Sequence, residues 1–76
     1  MFQKKIFAFG PALRTLRLAR RWTQAELAEK LEVTPQHVSM LESSRKFPNL
    51  QMLFKVADAC GVSLTSIAAE MEERLK

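Results

Sequence analysis

Residues 24–42 read QAELAEKLEVTPQHVSMLE, and the spacing of this segment decides the fold. Leu27, Ala28 and Leu31 recur at the i, i+1, i+4 intervals of one helix face, and Val38 and Leu41 resume that rhythm after a break at Glu32-Val33. Just upstream, Thr23 to Glu26 is T-x-x-E, a capping box in which hydroxyl and carboxylate each satisfy an orphaned backbone N–H. The first helix of the segment therefore starts at Gln24, with Trp22 placed to staple onto it. Thr34-Pro35 is a second cap followed by proline at the first helical position, where its missing N–H is harmless.

Two short helices joined by so tight a turn form a helix-turn-helix. Ala28 is small where the helices must approach, Val33 plugs the turn, and Val38 and Leu41 lock the second helix onto the first. With its inner face so occupied, the second helix turns Gln36, Ser39, Met40 and Ser43 outward. That row mixes small polar and soft apolar groups where charged helix formers are the usual surface choice.

Outward from the motif, further helices are bounded by start and stop signals. Gly10-Pro11 opens one that ends near Arg21, with Leu13, Leu16 and Ala19 at buried spacing. After the second motif helix, which runs to about Ser43, Ser44 to Pro48 form a basic loop. Asn49 then caps a helix with Leu50, Leu53, Val56 and Ala57 inside, and Gly61 stands where a left-handed C-cap belongs. Ser63 caps the last, with Leu64, Ile67, Ala68, Met71 and Leu75 along one stripe. No segment alternates with the period of a strand, so the reading is all-α: five helices in a domain spanning 10–76, preceded by an N-terminal arm over 1–9.

The 76 residues suffice for one small core. The single Cys60 excludes an intrachain disulfide and suits a reducing cytoplasm, and with one His it supplies no zinc site. No apolar run approaches a membrane span or the core of an export signal, and no cofactor motif is present. Glu26 and Glu29 are ordinary members of a solvated helix face, and no nucleophile has a base at a suggestive spacing, which argues against an enzyme. Twelve Lys and Arg stand against eight Asp and Glu. Residues 1–25 carry Lys4, Lys5, Arg14, Arg17, Arg20 and Arg21 without one acid, a balance that suits a polyanion such as nucleic acid.

The segment 24–42, with LRTLR before it, S-x-x-E at Ser39 to Glu42 and PNLQMLFKVADACGVSL after it, resembles the Cro and lambda-repressor-like (XRE-type) helix-turn-helix family. The resemblance runs from about Leu13 to Ile67. It implies a five-helix DNA-binding domain whose second motif helix lies in the major groove. Gln36 is then the leading base reader, since a carboxamide offers adenine a donor and an acceptor together. Met40 suits a thymine methyl, Ser39 and Ser43 share the outward row, and Thr34 and His37 flank it. His37 reads equally as a solvated helix residue.

By the same resemblance Gln24 holds a phosphate at a helix start. Arg17 pairs with Glu42 as a structural ion pair that sets the angle of the reading helix. Arg45 and Lys46, just past that helix, are natural phosphate contacts, with Lys4, Lys5, Arg20 and Arg21 behind them. Three residues depart from the family pattern. Glu32 and Ser44 stand where glycine is usual, and Pro35 occupies a position that often reads bases but has no N–H to donate.

The stripe on the last helix asks for a partner, and Leu64, Ile67 and Met71 are assigned to a homodimer seam. The expected function is a transcriptional regulator that binds a pseudo-palindromic double-stranded operator as a homodimer. A restriction-modification controller and a compact phage repressor both fit this size. The alternative is a protein-interaction adaptor or antitoxin on the same fold, for which Phe2, Ile6, Phe7 and Phe9 of the arm are the best support.

Overall fold

The computed structural model describes the backbone of residues 2–75 and the side chains of residues 5–75. Expectations for the side chains of Phe2 and Lys4 lie outside the described residues. Six helices follow one another: α1 (Phe2–Phe7), α2 (Phe9–Ala19), α3 (Gln24–Leu31), α4 (Pro35–Glu42), α5 (Leu50–Cys60) and α6 (Leu64–Glu73). No strand occurs among the described residues. The five helices read from the sequence are α2 to α6, and the segment read as an arm carries α1.

Local chemistry starts and stops these helices. Thr23 Oγ1 accepts the Glu26 N–H at 3.0 Å while Glu26 Oε1 accepts the Thr23 N–H at 2.8 Å, completing the capping box. Thr34, Asn49 and Ser63 cap α4, α5 and α6 in the same manner, accepting from His37, Met52 and Ser66. Each such cap stabilises its helix by about 1 kcal/mol. At the other ends, Gly61 (φ 68°) and Glu32 (φ 60°) adopt the left-handed conformation that closes α5 and α3.

One core joins these elements. Phe9, Leu13 and Leu16 of α2 meet Leu27, Ala28 and Leu31 of α3, Val38 and Leu41 of α4, Val56, Ala57 and Cys60 of α5, and Ile67 of α6. Trp22 and Val33 pack at its edge. Gly10 lets α2 lie directly on the end of α4, since a Cβ there would stand 2.6 Å from the Glu42 carbonyl oxygen and 2.8 Å from that of Leu41.

Several positions differ from the sequence reading. Gly10 and Pro11 fall inside the first turn of α2, which begins at Phe9, because Ala8 and Phe9 are buried and draw the helix back toward α1. Phe9, 2% exposed, is a core residue and gives no support to an interacting arm. Ala19 is exposed, and Leu50 is 65% exposed. Leu50 opens α5 one turn before the stripe of Leu53, Val56, Ala57 and Cys60 reaches the core.

Arg20 is committed internally: its guanidinium donates to the Cys60 carbonyl at 2.6 and 3.1 Å and to the Leu16 carbonyl at 2.8 Å. A cation there suits the negative end of α5 and leaves no free fork for a phosphate. Burial pushes the Cys60 thiol above its ordinary pKa, opposed in part by the Arg20 charge.

Candidate nucleic-acid interface

α4 is anchored by its inner face, where Val38 and Leu41 are fully buried, so its opposite face is available. Gln36, Ser39 and Ser43 are exposed there, Met40 and His37 are half-buried beside them, and Thr34 and Pro35 are exposed at the helix start. The hydroxyl of Thr34 is occupied by capping, and Ser43 Oγ donates to the Met40 carbonyl at 3.3 Å.

The angle of α4 is held by a polar network between three helices. Arg17 Nε donates to Glu42 Oε2 at 2.6 Å and Arg17 Nη2 to Glu42 Oε1 at 3.0 Å. Arg17 Nη1 donates to the Trp22 carbonyl at 2.8 Å, and Gln24 Nε2 donates to Glu42 Oε1 at 3.1 Å. The two charged side chains are only 10% and 5% exposed. The Glu42 hydrogen bond raises the Arg17 pKa further while burial works against it. Gln24, read from the sequence as a phosphate holder, thus has one N–H tied to the network.

Beyond α4 the chain turns back on it. The backbone N–H groups of Arg45 and Lys46 both donate to the Met40 carbonyl, at 2.9 and 3.1 Å, through a left-handed Ser44 (φ 64°). Both basic side chains are exposed as a result. The loop is tethered to α1: Ser44 Oγ donates to the Phe7 carbonyl at 3.2 Å, and the Phe7 and Phe47 rings meet edge-on with centroids 5.3 Å apart.

Two clefts flank α4. One, of about 290 Å³, is lined by Arg14, Arg17, Gln24, Ser39, Glu42 and Ser43. The other, of about 260 Å³, is lined by His37, Lys46, Phe47, Pro48, Asn49 and Met52. Arg14, marked in the sequence only as one of the basic residues of 1–25, lines the first of these clefts one turn before Arg17 on α2. Pro35, Gln36, Thr34, Met40 and Arg45 line neither cleft. No cluster of His, Cys, Asp and Glu suited to a metal occurs among the described residues.

The residues assigned to a dimer seam separate. Ile67 is 2% exposed and belongs to the chain's own core, so it offers no surface to a second copy. Leu64 and Met71 are half-buried against that core. On the outer side of α6, Ala68, Glu72 and Leu75 are exposed.

The sequence profile of the helix-turn-helix family matches residues 13–67. The chain belongs to that family, in its Cro and lambda-repressor-like form. It is 33% identical over 61 residues to the immunity repressor protein of Bacillus phage phi105, covering 80% of this chain and 42% of that one. It is 38% identical over 53 residues to multiprotein-bridging factor 1 of Schizosaccharomyces pombe, covering 70% and 36%. With the HTH-type transcriptional regulator RamB of Mycobacterium tuberculosis it shares 30% identity over 66 residues, covering 87% and 14%. The chain thus spans less than half the length of these relatives.

The crystal structure of the clp gene regulator ClgR from C. glutamicum superposes with a TM-score of 0.86 at 33% identity, covering 96% of this chain and 94% of that one. These relatives carry the names of regulators and a bridging factor, not of enzymes. Among the described residues no single helix is long and apolar enough to cross a membrane.

Proposed function

We propose that this chain is the DNA-binding unit of a transcriptional regulator, laying α4 in the major groove of double-stranded DNA. The observation that carries the reading is the exposed row of Gln36, Ser39 and Ser43 on a helix whose other face is wholly buried and whose tilt is held by Arg17 and Glu42. Gln36 is the principal base reader, worth roughly 1–3 kcal/mol of discrimination if bidentate on adenine. Pro35 and Met40 supply apolar contacts, Ser39 adapts its hydroxyl to either base edge, and Thr34 and His37 border the row. Arg45 and Lys46 hold the flanking phosphates, and Gln24 contributes its remaining N–H.

Two copies bind a pseudo-palindromic operator with half-sites roughly 34 Å apart. Their seam lies along the outer side of α6, where Met71, Ala68 and Leu75 line an apolar hollow, with Leu64 on the same helix. Relatives named as a repressor and as transcriptional regulators support the regulatory role.

Selection of bound duplexes from a random pool tests both parts together. The expected result is a two-fold symmetric site, with preference at one or two positions of each half lost in Gln36→Ala. An unchanged selection profile removes Gln36 from the readout. Met71→Glu is expected to convert a sedimenting dimer into a monomer, and an intact dimer rules out the α6 seam. Protein bridging is the second reading, favoured by the exposed Leu50 and Phe54 of α5. It predicts no affinity for random duplex that falls steeply with salt.

A further inference from the structure

The loop between α4 and α5 carries Arg45 and Lys46, whose side chains are exposed and make no ion pair or hydrogen bond among the described residues. Where the two charges stand is thus set by the backbone alone. From α4 that backbone is held by a single acceptor, the Met40 carbonyl, which takes the N–H groups of both residues. The turn into it is strained, because Ser44 is left-handed at φ 64° and carries a Cβ. Such a turn needs a hold from outside α4.

That hold comes from Phe7, the last residue of α1. In a continuing helix the Phe7 carbonyl accepts the N–H four residues on, but residue 11 is proline and has none. Ser44 Oγ donates to that carbonyl instead, at 3.2 Å. Gly10 makes room for it, since a Cβ there would stand 2.9 Å from Ser44 Oγ. Three residues further along the loop, the Phe47 ring meets the Phe7 ring edge-on with centroids 5.3 Å apart. Beside Phe47 lies a hollow of about 220 Å³, lined also by Ile6, Phe9, Pro48, Leu53 and Met71, so the core does not close fully around the ring. One residue of α1 therefore holds the loop on both sides of Arg45 and Lys46, by its carbonyl at Ser44 and by its ring at Phe47.

We propose that Phe7 is a positioning residue for DNA binding: it clamps the loop at Ser44 and Phe47 and so presets Arg45 and Lys46 for the phosphates. This rests on the DNA-binding reading above, and it gives α1 a part in gripping DNA without touching it. A preset loop loses its conformational freedom on folding, whereas a loose one loses it on binding and weakens the complex. The clamp raises affinity without adding a phosphate contact.

The test measures Kd for a random duplex across salt concentrations, together with backbone order parameters of residues 44–47 in the free proteins. Wild type, Phe7→Ala, Phe7→Tyr and the pair Arg45→Gln/Lys46→Gln with and without Phe7→Ala are compared. Phe7→Ala is expected to weaken binding about 3- to 10-fold through the loop-ordering cost, at an unchanged slope of log K against log salt, and to lower the order parameters of Arg45 and Lys46. Arg45→Gln/Lys46→Gln should reduce the slope by about 1.8 for each protomer bound, and adding Phe7→Ala to it should change Kd no further. Phe7→Tyr keeps the ring and should bind as wild type. If Phe7→Ala does not fold, Phe47→Ala breaks the same ring contact from the loop side and is expected to show the same loss and the same dependence on Arg45 and Lys46.

A loss from Phe7→Ala that is equal with and without Arg45 and Lys46 overturns the positioning role, because a merely structural residue acts in both backgrounds. Unchanged order parameters, or random-duplex binding as tight as wild type, overturn it while leaving the DNA-binding reading standing. Wild type that binds no duplex overturns both.

Discussion

Arg17 on α2 and Glu42 at the end of α4 are 25 residues apart in sequence, and Arg17 Nε lies 2.6 Å from Glu42 Oε2. The pair is enclosed by Trp22, Gln24 and the close approach of Gly10 to the last carbonyls of α4. A buried pair is expensive to break and much less expensive to replace whole.

Glu42→Ala is therefore expected to lower stability by about 3–5 kcal/mol, because it strands a buried guanidinium. Replacing both partners by apolar residues, Arg17→Met with Glu42→Leu, should cost less than the sum of the two single changes. Urea unfolding of the four proteins checks this. Additive losses show that the two side chains do not act as a unit.

Gly10 and Gly61 are required for different reasons. At Gly10 an added methyl collides with backbone oxygens of Leu41 and Glu42, so Gly10→Ala should cost about 1–3 kcal/mol by prying α2 from α4. At Gly61 nothing lies within 4 Å, and only the left-handed φ of 68° opposes a side chain. Gly61→Ala should cost roughly 1–2 kcal/mol and leave the packing of α4 intact. Chemical-shift maps of the α4 amides separate the two cases: perturbed in Gly10→Ala, unchanged in Gly61→Ala.

Glu32 and Ser44 hold left-handed conformations without being glycine, at φ 60° and 64°. Glu32 has only an exposed contact with Lys55 at 3.6 Å, worth less than about 1 kcal/mol. Ser44 makes the hydrogen bond to Phe7 that tethers the basic loop. Glu32→Gly should raise the melting temperature, whereas Ser44→Gly should give little or no gain, because strain relief is offset by loss of that bond. Equal gains in calorimetry contradict the tethering role.

Cys60 links stability to pH. Its folded pKa is raised by burial, so as pH climbs through the ordinary thiol range the unfolded chain loses its proton first, and stability falls. Near neutral pH both states keep the proton and the effect is absent. The urea midpoint of wild type is expected to drop more between neutral and strongly alkaline pH than that of Cys60→Ala. Parallel losses exclude the thiol as the source.

What was legible in the sequence was local. Caps at Thr23, Thr34, Asn49 and Ser63 depend on side chains reaching N–H groups three residues away, and such signals survive without knowledge of the fold. Helix α1 is not legible in the sequence because no Ser, Thr, Asp or Asn precedes it and its apolar residues suit an arm as well as a helix. Ala19 and Leu50 are exposed against the spacing because periodicity says which face is apolar, not how far along the helix the core extends.

The sequence by itself determined the all-α class, the two-helix motif and the outward row of α4, since short-range spacing and capping chemistry are enough to specify them. Only the tertiary structure decided that Ile67 is buried in its own core, that Arg20 closes the end of α5 while Arg14 stays free, and that Gln24 is tied to Glu42. Those outcomes depend on which distant backbone or side chain arrives within about 3 Å, the reach of a hydrogen bond, and residue spacing along one helix carries no record of that.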